Sequence, residues 1–185
     1  MRSLRLVVCL ATLLTARTFG QTNSQKDVEG WSKAKWGMTD EQVLEAFTGD
    51  VVRLPASKEL DPYAAIRIPI MKIGRSQFTV RFMLDPKTNQ LCEVNILPVE
   101  QVHDYSGPRT NAPPEVIFDE LQELLTQRHG KPTSTGPTHS GTVTLDDNSA
   151  VWRFPSTKIQ LSYTRTLRFG NRVSVNYTRN AKAEL

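Results

Sequence analysis

Phe78-Thr79-Val80-Arg81-Phe82-Met83-Leu84 leads through Asp85-Pro86-Lys87-Thr88-Asn89-Gln90 into Leu91-Cys92-Glu93-Val94-Asn95-Ile96. Phe78, Val80, Phe82 and Leu84 alternate with Thr79, Arg81 and Met83, and Cys92, Val94 and Ile96 alternate with Glu93 and Asn95. Successive side chains of a strand point to opposite faces, so a period of two with one polar side predicts antiparallel strands covered on one face only. The proline and asparagine between the two runs predict the turn of a hairpin. In the second half of the chain, Ile159, Leu161 and Tyr163 alternate with Gln160, Ser162 and Thr164. A turn near Gly170-Asn171 then leads to Val173, Val175 and Tyr177, alternating with Ser174 and Asn176. Ala64–Ile73 and Ser149–Phe154 read as one further strand in each half. Pro69 makes the former irregular or an edge, because proline has no amide to give to a ladder.

A helix precedes each group of strands. Thr39 caps the first, with Gln42 placed to complete a capping box and Met38 to staple onto Val43. Val43, Leu44 and Phe47 share one side of it, and Gly49 is expected to end it. The second helix is expected from Pro113 to His129. Ile117, Leu121, Leu124 and Leu125 form its apolar stripe, and Gly130 and Pro132 stop it. Gln21–Gly30 is polar and without period, and reads as a loose arm.

One ungapped offset of 81 residues lays the two halves on each other. Gly49 falls on Gly130, and Phe78, Val80 and Phe82 fall on Ile159, Leu161 and Tyr163. Cys92, Val94, Asn95 and Ile96 fall on Val173, Val175, Asn176 and Tyr177. The expected fold class is therefore α+β: two tandem α-β-β-β repeats, about 31–100 and 111–180, with helices packed on one face of an antiparallel sheet. One helix over so small a sheet is a thin core, so both halves are expected in one domain, 31–180.

Trp36-Gly37-Met38-Thr39, the helix end Leu124–Pro132 and Trp152-Arg153-Phe154 with Thr157–Leu161 resemble segments of small exported bacterial proteins of unknown function. By element order, the plan also resembles beta-lactamase inhibitor protein and the outer-membrane assembly lipoprotein class BamE. The chain departs from the former in having no repeat disulfides and from the latter in having no lipid anchor. The resemblance implies a binding fold and no catalytic residue.

The first residues combine Arg2 and Arg5, an apolar run from Leu6 to Leu14 and small residues at Thr18 and Gly20. These are the three parts of a secretory signal. The run is far short of the roughly 20 apolar residues that span a membrane. Residues 1–20 are expected to be cleaved after Gly20, with Ala16 as the alternative, placing the product in the periplasm or the exterior. Cys9 lies inside the run, which speaks against a lipid anchor. Removing Arg2, Arg5 and Arg17 takes the formal charge from +4 to about +1. The basic balance of the whole chain is thus partly an export signal rather than a nucleic-acid footprint. Cys92 would be the only remaining cysteine, which excludes an internal disulfide; its place in the alternation predicts a buried small hydrophobe.

The three histidines lack the one-turn spacing of a zinc pair. His129 is expected in the last helical turn, where a cation suits the dipole. His103-Asp104-Tyr105 lies in the polar stretch Val102–Asn111, and His139 precedes Asp146-Asp147 without a nucleophile-elbow pattern. Asp146-Asp147-Asn148 lacks the glycine and closing glutamate of a calcium loop and reads as a hairpin turn. Thr135–Thr142 reads as a flexible connection. Asn176-Tyr177-Thr178 spells a glycosylation sequon but falls in a strand. Trp152 is assigned to the core with Phe154; Trp31 and Trp36 either close over the sheet end or form a recognition patch.

No cofactor or metal is implied. The reading is an exported non-enzymatic binding module, with a protein partner and no nucleic acid. Its candidate face is the polar side of the strands: Thr79, Arg81, Met83, Glu93, Asn95, Gln160, Ser162, Thr164, Ser174 and Asn176. The alternatives are a hydrolase or metal-dependent enzyme using His103, Asp104 and His139, and an envelope structural or assembly factor.

Overall fold

A computed structural model describes residues 26–54, 64–101, 111–137, 144–166 and 170–180. The proposed signal, Gln21–Gln25 of the arm, and His103, Asp104 and His139 lie outside the described residues. A small hairpin of β1 (Gly30–Trp31) and β2 (Ala34–Lys35) precedes α1 (Asp40–Ala46). Then come β3 (Val52–Arg53), β4 (Ala64–Ile73), β5 (Ser76–Leu84), β6 (Leu91–Pro98), a 3₁₀ turn at Val99–Gln101 and α2 (Pro114–His129). The chain continues through β7 (Ser134–Gly136), β8 (Thr144–Arg153), β9 (Thr157–Thr166) and β10 (Gly170–Arg179). The strands after α1 form one antiparallel sheet in the order β3-β4-β5-β6-β10-β9-β8-β7. The architecture is α+β.

The alternation read from the sequence becomes continuous apolar rows across this sheet. Ile66, Phe82, Val94, Tyr177, Ile159 and Trp152 stand opposite one another from strand to strand. Ile68, Val80, Ile96, Val175, Leu161 and Ala150 form the next row on the same face. All twelve are buried. Such cross-strand neighbours are the unit of sheet stabilisation. Both helices cover this face. From α1, Phe47 packs on Phe82 at 5.2 Å between ring centroids, with Trp31 at 6.0 Å from each. From α2, Phe118 meets Tyr163 edge-on at 6.2 Å.

The helix ends are satisfied by specific groups. The Gln42 amide donates to Thr39 Oγ1 and the Thr39 amide to Gln42 Oε1 at 2.9 Å, which is the reciprocal cap expected from the sequence. The α2 end is held by the Trp152 indole, whose N–H donates to the Gly130 carbonyl at 2.8 Å. Tyr163 and Asn171 both donate to Glu115 Oε1 at 2.7 Å, pinning the start of α2 to β9 and β10.

Several expectations are corrected. The first helix ends at Ala46, before Gly49, because Phe47 leaves helical geometry as its ring enters the Trp31–Phe82 stack. On α2 it is Phe118 that joins Ile117, Leu121 and Leu125 in the core, while Leu124 is 37% exposed. Cys92 is half-buried: Met83 faces Glu93 and Leu84 faces Leu91, so Cys92 is the extra residue of a bulge and Leu91 takes the core position. Asp146-Asp147-Asn148 is strand, not turn; β8 starts at Thr144 and a register shift before Asp146 absorbs the acidic pair. Ser134–Gly136, in the stretch read as a connection, pairs with Ser149–Val151, and the Ser149 hydroxyl donates to the Gly136 carbonyl. The β4 register breaks between Ile68 and Met71, at Pro69.

The described end of the arm, Lys26–Gly30, is tied down. Asp27 accepts from the Ser156 amide at 3.0 Å and from its hydroxyl at 2.6 Å, and the Val28 carbonyl accepts from the Thr157 hydroxyl. The Trp36 indole donates to the same Thr157 oxygen at 2.6 Å.

This packing separates two apolar side chains that the sequence treats alike. Phe82→Ala should cost about 3–5 kcal/mol of unfolding free energy, the usual range for a buried phenylalanine. Leu124→Ala should cost under about 1 kcal/mol, because its side chain is partly in solvent. Urea denaturation of the two variants checks the ordering; equal losses would contradict it.

Candidate functional site

Among the described residues, no helix lies on the second face of the sheet. Its residues follow from the same pairing. Arg67, Arg81, Asn95, Asn176, Gln160 and Val151 stand in one outward row. Met83, Glu93, Thr178, Lys158 and Arg153 form the row beside it. On the other side lie the row Ser174, Ser162 and Ser149 and the row Arg172, Thr164 and Asp147. Where β6 meets β10, Asn95 lies opposite Asn176 and donates its side-chain amide to the Asn176 side-chain oxygen.

A hollow of about 490 Å³ opens on this face. Seven of the expected residues line it: Arg81, Met83, Glu93, Asn95, Ser162, Thr164 and Ser174. Three do not. Thr79 is 3% exposed, its hydroxyl donating at 2.7 Å to the carbonyl of Pro69, where the β4 bulge folds over it. Gln160 and Asn176 belong to the same face but stand beside the hollow, Gln160 donating to Ser162 Oγ at 3.3 Å. The sequence reading missed Leu97, Gln101, Thr166 and Arg172. Arg172 continues the parity of Ser174 and Asn176, so the alternation held the signal; the assignment of Gly170-Asn171 to a turn cut it short.

Charge on the face is lopsided. Arg67, Arg81, Arg153, Lys158 and Arg172 stand on outward rows with only Glu93 and Asp147 among the described acids there. Positive charge is thus concentrated on one side of the sheet. Among the described residues, no aromatic side chain occupies these rows.

The shifts of His129, Cys92 and Asp40 follow from packing and hydrogen bonding. His129 lies on the helical side between Phe154, at 5.6 Å, and Tyr177, at 6.3 Å. Burial and then the neighbouring Arg128 charge bring its pKa down to about 4. The expected cation at the helix end is therefore a neutral ring, because packing outweighs the dipole. Burial raises the Cys92 thiol, which makes it a poor nucleophile. Interaction with the neighbouring Glu41 carboxyl, and hydrogen bonds from the Arg53 guanidinium and the Asn89 amide, hold the Asp40 carboxyl at about 2. Among the described residues, no three His, Cys, Asp or Glu side chains converge on a metal-sized site, and no helix is long and apolar enough to cross a membrane. Comparison with family models, with curated proteins and with solved structures returns no match.

The His129 environment fixes a direction for stability against pH. The ring binds its proton less readily folded than unfolded, so the unfolded state takes up protons first on acidification. Stability should be full above pH ~6.5 and fall as the pH drops toward 4. Solvent screening at a partly exposed ring leaves a contribution of about 1–2 kcal/mol. Denaturant midpoints at pH 7 and pH 4.5 should converge in His129→Phe relative to the parent; an unchanged difference would contradict this account.

Proposed function

We propose that the mature chain is an exported, non-enzymatic binding module whose open sheet face takes an acidic surface of a partner protein. The observation that carries this reading is the hollow on the helix-free face, bordered by Arg81 and Arg172 on strands from opposite halves of the sheet. The rows around it are cationic, polar and without aromatics, which suits carboxylates on a folded partner better than bases of a nucleic acid. Holding the face on strands rather than loops keeps these groups in fixed register. Asn95 and Ser162 are half-buried, so a partner would meet a surface whose side chains already support one another.

The same reading includes a duplication of the expected α-β-β-β unit, each half carrying one short outer strand more, β3 or β7. It is supported by the order β3-β4-β5-β6-β10-β9-β8-β7, in which each half runs from a short outer strand to a central one. It is also supported by the meeting of Asn95 with Asn176, 81 residues apart, at the joint. The hairpin ladders differ by two residues: Val80 faces Ile96, but Leu161 faces Val175, which lies opposite Ile96 across the joint. A slip of two keeps every side chain on its face. The resemblance to beta-lactamase inhibitor protein and the BamE class, drawn from element order in the sequence, would imply a sheet used as a binding surface.

Two experiments test the proposal. Protein recovered from the periplasm or medium of an expressing bacterium should begin near Gln21 by N-terminal sequencing; an intact Met1 on folded protein would refute export. A photo-reactive residue at Ser162 should cross-link a defined partner, and one at the exposed Glu123 on α2 should not. Arg81→Glu with Arg172→Glu should weaken that capture at least about tenfold, as should raising salt from 0.05 to 0.5 M. Capture that ignores both changes, or preference for single-stranded DNA over an acidic protein, would overturn the reading.

A further inference from the structure

We propose that the helical side of the sheet holds a second site, a cleft that binds a single-chain amphipathic carboxylate. This site is separate from the open face. α2 contacts β9 and β10 while α1 contacts β4, so the joint between the halves is left between the helices. The floor of the cleft is Ile96 and Val175, which face each other across that joint. Trp31 and Met71 close one side and Leu124 the other. Leu124, like Val116, is an apolar α2 residue that core packing leaves exposed, at 37%, and here its side chain has a use.

The cleft measures about 280 Å³. At the roughly 30 Å³ that a water-sized group occupies, it takes a chain of about eight to ten carbons. Small-molecule sites combine such apolar walls with a few placed polar groups that fix orientation. Two are present. Arg128, four residues after Leu124 on the same side of α2, carries the only formal charge among the described lining residues. Its guanidinium makes no hydrogen bond or ion pair among the described residues. Tyr177 lines the cleft, is 4% exposed, and its hydroxyl has no hydrogen-bond partner among the described residues. The Tyr177 oxygen is not one of the fully buried polar atoms, so it reaches the cleft and can donate to a bound acceptor. Burial pushes this phenol up to about 12, so it remains a donor at every physiological pH.

A cation and a phenolic donor beside an apolar slot match one ligand chemistry: an alkyl chain ending in a carboxylate, held by charge-assisted hydrogen bonds. A neutral alcohol would leave Arg128 uncompensated, and an alkyl ammonium would meet a like charge.

Titration calorimetry with sodium decanoate below its micelle concentration tests the site. Saturable binding at one equivalent is expected, with a Kd on the order of 100 µM for a ligand of this size. Decanol should bind roughly five- to tenfold more weakly, and decyltrimethylammonium more weakly still. Arg128→Gln should remove the preference for decanoate over decanol. Leu124→Trp should fill the mouth and abolish binding, with the thermal midpoint as the control for folding. Arg81→Glu with Arg172→Glu should leave decanoate binding intact, which separates this site from the sheet face. The inference is overturned by absence of saturation at millimolar decanoate, by decanoate binding that survives Leu124→Trp, or by a concentration-dependent dimer that buries Leu124 between two copies.

Discussion

The pairing of β6 with β10 is the interaction on which the rest depends. Alone, each half would place one helix over a narrow sheet with few apolar side chains to bury. The ladder from Glu93–Thr178 to Ile96–Val175 joins the two sheets edge to edge. Rows of apolar residues then run unbroken from Ile66 to Trp152, and a single core cluster spans both halves. At roughly 25 cal/mol per Å² of buried apolar surface, continuity of this kind separates a marginal sheet from a stable one. The same ladder removes two edges that would otherwise invite pairing with other chains. On its outward side it is sealed by Asn95 and Asn176, which satisfy each other where a polar face would otherwise have a gap.

Much of this was legible in the sequence, and the parts that were not share a physical cause. The strands with strict alternation, Phe78–Leu84 and Ile159–Tyr163, showed both their existence and their buried face. Ala64–Ile73 was read to its ends despite Pro69. The capping box at Thr39 and Gln42 was visible because it is a local reciprocal bond. What failed was decided at a distance. The bulge that turns Cys92 out of the core is set by how β6 meets β5, not by the residues around Cys92. Leu124 has the right helical spacing for the core, but it lines the cleft above Ile96 and Val175 and stays 37% exposed. His129 has the position of a dipole-stabilising cation, and only packing on Phe154 and Tyr177 makes it neutral. For the candidate face, parity located most of the lining. It gave no warning that Thr79 would be covered by a bulge in the neighbouring strand.

The two faces of the sheet are chemically opposed, and the division gathers cationic residues on one of them. Helices consume the apolar face. The opposite rows collect arginines, while acids such as Glu115 and Asp40 are drawn into bonds on the helical side. Edges are handled differently. Among the described residues, β7 pairs with Ser149–Val151 of β8, and β8 carries Asp147 just before that stretch. Charge on an edge strand discourages a second copy from adding to the ladder.

The bonds from Asp27 and Val28 to Ser156 and Thr157 set an order on assembly. They span 129 residues, so the first described segment of the chain finds its partner only after the β8–β9 hairpin exists. A polypeptide emerging from its N-terminus, whether from a ribosome or through a narrow pore, carries this strap without a seat for most of its length. The joint between β6 and β10 must wait likewise. High sequence separation of decisive contacts slows folding. Here it also means that the early part of the chain stays threadable, and that closure of the strap reports completion of the fold.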